Sequence, residues 1–429
     1  VGSSPFDAWI VNDAEVTDLL AREWGRQNST VQLIASENFA SPSVLAATGS
    51  VLTNKYAEGY PGRRYYGGNQ VVDEIEDLAR RRLTALFGAD HANVQPHCGA
   101  NANLAAYQAV LEPGDTVLAM RLDQGGHLTH GSPASITSKI WRFVAYGVTP
   151  RSDDPSAPGE IIDFDNVRDL AKEHHPKLIV AGATAYARRI DPAPFREIAD
   201  EVGALLMFDA AHVAGLIVGG AHPNPTPAAD VVTFTTHKTL RGPRGGAIVC
   251  RAELAKKVDA AVFPGQQGGP LENVIAAKAV AFKEAAQPSF AQYARRVVSN
   301  ASAFGSALRD EGFRLVSGGT ENHMVLLDLR DFDAELTGKE AQEVLDRAGI
   351  TTNRNTIPDD PRSAFITSGL RVGSAAETTA GMGEAEFATV ASLMVRALRQ
   401  RGDDAALAGV RDEVAELCER FDPYRAFTG

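Results

Sequence analysis

Apolar residues recur along this chain in two rhythms. Short apolar runs at 116–120, 177–181, 204–208, 231–235 and 246–250 carry no charge beyond the leading Lys177, as expected of strands buried on both faces. Stretches of helical period, such as 71–87 and 101–110, lie between them. Strand and helix alternating from about residue 31 to 285 predict an α/β fold, a mostly parallel sheet with helices on both faces. Ligands in such sheets sit beyond the carboxyl ends of the strands. Ahead of this region, residues 7–28 read as an acidic amphipathic helix, with Trp9, Ile10, Val16, Leu19, Leu20 and Trp24 at helical spacing; its expected job is packing, against the body of the chain or a partner subunit. A long helix at about 274–310 then leads into a smaller α+β layer. That layer has strands at 314–316 and 323–328, a helix at 338–348 and a last helix near 384–399. The division expected is an N-terminal helical arm (1–30), a large α/β domain (31–285) and a small C-terminal α+β domain (286–429). The stretch 151–159, rich in Ser, Asp and Pro, reads as a polar surface loop.

With 429 residues, two domains are the default. A net charge of −12 argues against a general nucleic-acid binder, whose footprint would be a basic face. Local arginines can still receive an anionic substrate. The three cysteines, Cys98, Cys250 and Cys418, are far apart, which suits a reducing cytoplasm and gives neither a disulfide framework nor metal-ligand spacing. No charged-then-apolar leader and no apolar run of 18 residues are found, so no membrane association is expected.

The chemistry concentrates at predicted strand ends. Lys238 follows the run 231–236 and precedes a Gly/Pro/Arg turn that continues neither strand nor helix. A nucleophilic lysine needs an apolar, cationic setting that lowers its pKa, and His237, Arg241 and Arg244 crowd this one. Upstream, a buried-type strand ends in Asp209, with His212 three residues on. A strand-end Asp followed by a strand-end Lys is the layout of a pyridoxal phosphate site: the carboxylate keeps the pyridine nitrogen protonated and the amine forms a Schiff base. His212 is placed near the ring's phenolate oxygen or the Asp. Gly125-Gly-His-Leu-Thr-His-Gly131 offers glycines for close backbone approach and an imidazole, His127, to stack on a flat cofactor; His130 reads as an ordinary core histidine. Cys98-Gly-Ala100 runs into a helix N-terminus suited to a phosphate, with Gly99 and the Ala100 amide as its useful parts. Ser36-Glu-Asn38 and the Tyr- and Gly-rich stretch 54–68 read as binding loops, with Glu58 as a candidate acid/base. Arg371, between an apolar stretch and a glycine, is the candidate fork for an α-carboxylate.

These segments together closely resemble the serine hydroxymethyltransferase family. The likeness runs from about residue 33 to the final helix, and its most specific pieces are NKYAEGYPGRRYYGG, GGHLTHGSP, THKTLRGPRGG, VFPGQQGGPL and SGLRVG. The resemblance implies a fold-type I pyridoxal phosphate enzyme with a mostly parallel, seven-stranded-type sheet, moving a hydroxymethyl group from serine to tetrahydrofolate. It implies that Lys238 carries the cofactor with His237 beside it, that Asp209 pairs with the pyridine nitrogen and that His127 stacks on the ring. Thr184 and His212 would lie near the phenolate oxygen, Thr235 near the Schiff base, and Cys98, Gly99 and Ala100 at the phosphate. Arg371 would grip the substrate carboxylate with Ser36 assisting, and Arg244 would shape the lysine loop. Glu58 would serve the substrate hydroxyl. Tyr56, Glu58, Tyr66 and Gly268 would reach the site from the other subunit, making a homodimer the smallest active unit. Leu122, Gly126, Leu128, Asn355 and Phe365 would form the folate site. No metal is implied.

The chain departs from the family in places. Ser-Gly-Ser at the phosphate turn becomes Cys98-Gly-Ala100, losing hydroxyl donors worth about 1–2 kcal/mol each. Thr184 replaces a Ser, Ala210 a Met, and Ser374-Ala-Ala376 replaces Thr-Pro-Ala. An altered shell of this kind would suit an α-methylserine hydroxymethyltransferase, or a threonine aldolase or transaldolase; the folate positions argue against a folate-free aldolase. A non-catalytic scaffold is the reading least compatible with Lys238, Asp209, His127 and Arg371 together.

Overall fold

The structure is a computed structural model that describes residues 13–152, 154 and 159–424. Its centre is a seven-stranded sheet built from β1 (His91–Asn93), β2 (Thr116–Met120), β3 (Arg142–Tyr146), β4 (Leu178–Ala181), β5 (Leu205–Asp209), β6 (Val231–Thr235) and β7 (Gly246–Cys250). The spatial order is β1-β7-β6-β5-β4-β2-β3. Strands β2 to β6 pair in parallel, while β7 runs antiparallel to both β6 and β1. The sheet is therefore mixed by one strand. Strands β5 to β7 bury nearly every residue, which is why they read from sequence as unbroken apolar runs. Two strands escaped that reading. His91–Asn93 is short and polar, and the edge strand Arg142–Tyr146 leaves four of its five residues at least partly exposed.

One apolar cluster, with Phe87, Phe195, Phe208, Phe234 and Phe282, covers one face of this sheet. A second, with Tyr107, Trp141, Met207 and Ile248, covers the other. A further core gathers around a four-stranded antiparallel sheet of β8 (Arg314–Leu315), β9 (Met324–Asp328), β10 (Asn353–Asn355) and β11 (Gly369–Gly373), in the order β8-β9-β11-β10. Val31 and Leu33 belong to this core, because Val31–Gln32 pairs with Ile350–Thr351. A buried ion network spans the two sheets' surroundings: Arg314 donates to Glu160 at 2.8 Å and to Asp328 at 2.9 Å.

The long helix expected at 274–310 is two helices, Glu272–Ala285 and Pro288–Asp310. Pro288 lacks the N–H a continuing helix needs and opens the second instead. The helix Glu384–Arg399 is not the last, since Asp404–Glu419 follows with Asp403 as its N-cap. The first described helix is Ala14–Ser29, capped by Asp13; Trp9 and Ile10 lie outside the described residues, as does most of the polar loop at 151–159. Among the described residues no helix is long and apolar enough to cross a membrane.

Candidate active site

Asp209 is the last residue of β5 and is buried. Its Oδ1 accepts the Ala211 backbone N–H at 3.0 Å. Its Oδ2 accepts Asn103 Nδ2 at 2.8 Å and His130 Nε2 at 2.9 Å. His130 Nδ1 in turn accepts the His127 backbone N–H at 3.2 Å, so the His130 proton sits on Nε2 and the ring is a neutral donor. Burial opposes ionisation of Asp209, but the His130 bond and neighbouring donors outweigh it and hold the carboxyl well below the usual range. The result is a buried anion braced by neutral groups, without a contacting lysine or arginine among the described residues. His130, expected as a core histidine, is buried, and its bond goes to this carboxylate.

Asn103 was not anticipated. It is polar in an alanine-rich helix, Gly99–Val110, and faces the sheet. Its Nδ2 also donates to Thr129 Oγ1 at 2.8 Å, and its Oδ1 accepts Thr233 Oγ1 at 2.6 Å. A buried amide on an otherwise small-residue face was the only signal in the sequence.

Lys238 begins the connection after β6 and is 8% exposed. Burial lowers its pKa to about 8; the Asp209 charge resists this, and Arg371 and Arg244 add to it. Arg241, expected among the crowding cations, points elsewhere. Its guanidinium lies 4.1 Å from the Tyr293 ring centroid and 5.1 Å from that of Phe290, which places Arg371 in its stead. Arg241 also takes a left-handed φ of 58°, closing the loop so that its N–H reaches the Lys238 carbonyl at 3.1 Å. Asn38 Nδ2 donates to the same carbonyl at 3.0 Å, so the 36–38 loop braces the lysine. His237 Nδ1 accepts the Gly245 N–H at 3.4 Å, and burial with the Arg244 and Lys238 charges pushes its pKa to about 3. Thr235 Oγ1 donates to the Ala211 carbonyl at 3.3 Å.

His127 follows a turn that only glycine permits: Gly125 has φ 117°, and a Cβ on Gly126 would lie 2.2 Å from the Met120 carbonyl oxygen. Its Nδ1 is 2.7 Å from Thr129 Oγ1, and burial lowers its pKa to about 4. His212 makes no bond to Asp209. Its Nδ1 lies 3.2 Å from Nε2 of His323, and the two rings stack at 5.4 Å. His323, at the start of the second core's sheet, was also missed. Thr184 follows β4, and its carbonyl accepts Arg371 Nη1 at 2.9 Å. Arg371, central in β11, also donates from Nε to Asn353 Oδ1 at 3.1 Å. Burial lowers its pKa to about 10.

Pyridoxal phosphate can be tested against these residues. Helix Gly99–Val110 starts at Cys98, which makes no side-chain cap; its Sγ–H instead donates to Asn101 Oδ1 at 2.9 Å. The first-turn N–H groups at Gly99 and Ala100 are thus left for an anion. A Cβ on Gly99 would meet Thr235 Cγ2 at 2.6 Å, so only glycine lets this turn lie against β6. An uncapped helix start, a buried carboxylate and a buried lysine of lowered pKa fit the cofactor's phosphate, ring nitrogen and aldehyde. His127, His130 and Asp209 also bring ligand atoms within 4.8 Å of one another, but Asp209 and His130 already hydrogen-bond each other directly.

A separate group forms around the 54–68 loop. Tyr56 donates to Glu58 Oε1 at 3.3 Å, Tyr56 and Tyr66 rings meet edge to face at 5.1 Å, and Gly268 lies beside Glu58. Tyr56 and Tyr66 are exposed, and no hydrogen bond among the described residues joins this group to Lys238 or Asp209 in the same chain. Leu122, Leu128 and Phe365 are exposed, while Asn355 and Ser36 are partly buried and Gly126 is buried.

Residues 10–394 match the family model described as serine hydroxymethyltransferase. A serine hydroxymethyltransferase of Synechococcus sp. (strain JA-3-3Ab) is 57% identical over 423 residues, covering 96% of each chain.

Proposed function

The chain belongs to the serine hydroxymethyltransferase family, and from that premise we propose how its own residues carry the family's reaction. It is a pyridoxal phosphate enzyme that reversibly transfers the hydroxymethyl group of serine to tetrahydrofolate, giving glycine and methylenetetrahydrofolate. The observation that carries this reading is the buried, ionised Asp209 at one strand end with the buried Lys238 at the next, within its field. The bound cofactor supplies an electron sink for charge left on the substrate's α-carbon when the carbon–carbon bond breaks.

The residues divide the remaining work. Asp209 holds a proton on the ring nitrogen, and Asn103, His130 and the Ala211 amide keep its carboxylate aimed and ionised. Lys238 binds the cofactor through an amine that loses its proton more readily than a free lysine. His127 covers the ring; Thr184, Thr235, His212 and His237 line the polar edge near the lysine; Cys98, Gly99 and Ala100 receive the phosphate. Arg371, with its stem buried and two of its N–H groups fixed, turns its remaining donors to the substrate carboxylate, and Ser36 assists. Glu58 moves the proton of the substrate hydroxyl. Leu122, Gly126, Leu128, Asn355 and Phe365 receive the folate.

The active unit proposed is a homodimer in which Tyr56, Glu58, Tyr66 and Gly268 complete the partner's site. The exposed Leu19, Leu20, Val51, Tyr65 and Val71 support it, being apolar surface a second copy would cover. The proposed division is an arm (1–30), a large domain (31–285) and a small domain (286–429), in a protein of the reducing cytoplasm. Ala210, fully buried beside Asp209 where the family carries a larger side chain, favours a second reading, α-methylserine as donor and D-alanine as product. The test is glycine formation from L-serine with and without tetrahydrofolate. Turnover is expected to require the folate. Equal turnover without it would overturn the assignment, and turnover of α-methyl-L-serine alone would replace the donor.

A further inference from the structure

Lys278 is a second lysine hidden in this region, on helix Glu272–Ala285, 1% exposed. It takes no part in the reaction outlined above. Its Nζ donates to three backbone carbonyls: Val94 at 2.6 Å, Gly246 at 2.8 Å and Pro96 at 3.1 Å. Three acceptors use the full donor capacity of an ammonium group. A buried cation held only by carbonyls is costly, so the arrangement needs a structural reason. Burial pulls the amine's pKa down to about 7, while the buried carboxyls Glu76 and Glu272 act to keep the charge.

The three carbonyls identify what is being held. Val94 and Pro96 lie on the connection from β1 into Cys98-Gly99-Ala100, the uncapped helix start. Gly246 opens β7, where it pairs with Thr235, and its N–H donates to the Pro96 carbonyl at 3.0 Å. The packing there has no slack. A Cβ on Gly246 would lie 2.3 Å from the Cys98 carbonyl oxygen, and one on Gly245 would lie 2.6 Å from Lys278 Cε. Gly245 thus leaves the channel through which the lysine stem reaches the turn.

We propose that Lys278 is a positioning residue that pins the phosphate-receiving turn at Cys98–Ala100 against strands β6 and β7, so that the turn's N–H groups are set before the cofactor arrives. The inference rests on the cofactor reading given above. It also accounts for how a turn lacking the family's two hydroxyl donors still presents an ordered anion site: the order comes from beneath, through the carbonyls.

The test is cofactor binding to the apo-protein, followed by absorbance, with pyridoxal phosphate and with phosphate-free pyridoxal as separate probes. The variants are Lys278→Met, which keeps the stem and removes the donors, and Gly245→Ala, whose methyl displaces the stem. Both are first checked for wild-type secondary structure by circular dichroism. The expected result is weakening of pyridoxal phosphate binding by about tenfold or more in Lys278→Met, with pyridoxal changed by about threefold or less. Gly245→Ala should shift the same way by a smaller factor, and it carries the test if Lys278→Met does not fold. Equal weakening of both probes, or no change in either, would overturn the inference. Failure of the wild-type protein to bind pyridoxal phosphate would instead remove the cofactor reading on which it rests.

Discussion

Replacing Asp209 by Asn keeps the shape of the side chain and reverses the sense of one hydrogen bond. The carboxylate has donors on both oxygens: Ala211 N–H on Oδ1, and Asn103 and His130 on Oδ2. An amide must therefore point its NH2 at a donor in either orientation. His130 cannot switch tautomer to help, because its Nδ1 already accepts the His127 N–H. Asn103 is held against a flip by Thr129, whose hydroxyl faces the accepting Nδ1 of His127 and so can only accept from Asn103 Nδ2. A buried donor facing a donor costs about 1–3 kcal/mol, and charge-assisted bonds become ordinary ones. The apo-protein should lose about 2–3 kcal/mol, read as a fall of roughly 1 M in the urea midpoint. Serine cleavage by the loaded protein should fall further than instability explains, since the charge proposed to hold the ring nitrogen's proton is gone. If that loss is worth about 2–3 kcal/mol in the transition state, the rate falls by about 30- to 150-fold. An Asp209→Asn protein with an unchanged urea midpoint and an unchanged cleavage rate would refute both the bonding scheme and the role of the carboxylate.

Three other perturbations address separate parts of the site. Arg371→Lys keeps the charge but loses the planar fork, so the serine KM should rise by about 10- to 100-fold while cofactor absorbance is unchanged; an unaltered KM would place the carboxylate elsewhere. Ala100→Ser returns a hydroxyl to the proposed phosphate turn and should tighten pyridoxal phosphate binding by about fivefold, and no tightening would mean that this position does not face the phosphate. The pKa values of His127 and His222 are lowered to about 4 and those of His237 and His323 to about 3, burial being the first cause in each. Below pH 6.5 the unfolded chain takes up protons that the folded chain refuses, so stability present above that pH is lost progressively as pH falls toward 4. Glu272, raised to about 8, and Glu377, raised to about 7, both by burial, act in the opposite sense over this range, but the depressed imidazoles outnumber them, so the urea midpoint of the apo-protein should drop from pH 6.5 to pH 4.5, and a flat or rising profile would contradict the neutral, buried state of these rings.

Much of this architecture could be read from residue pattern because the strands that carry the site are buried on both faces. Val231–Thr235 and Gly246–Cys250 show in sequence as unbroken apolar runs for that reason. His91–Asn93 does not, because a three-residue polar strand leaves no periodic trace. The break at Pro288 was legible in principle, but strong helical periodicity on both sides concealed it. In the site, Lys238, Asp209 and Arg371 stood out because a charge at the end of an apolar run has few ordinary explanations. Asn103, His323 and Lys278 did not. Each sits inside a helix or beside a strand, and its meaning lies wholly in partners distant in sequence: Asp209, His212, and the carbonyls of Val94, Pro96 and Gly246. Arg241 was misjudged for the converse reason. Proximity in sequence to Lys238 suggested a shared pocket, but its left-handed backbone turns the guanidinium onto Phe290 and Tyr293.

The most direct measurement is borohydride reduction of the protein loaded with pyridoxal phosphate, which fixes a lysine-bound cofactor covalently, followed by peptide mass analysis. Among the described residues two buried lysines have lowered pKa values, Lys238 at about 8 and Lys278 at about 7, so the outcome is a choice between named positions. The pyridoxyl group is expected on Lys238, with Lys278 unmodified. Modification of Lys278, or of neither, would contradict it.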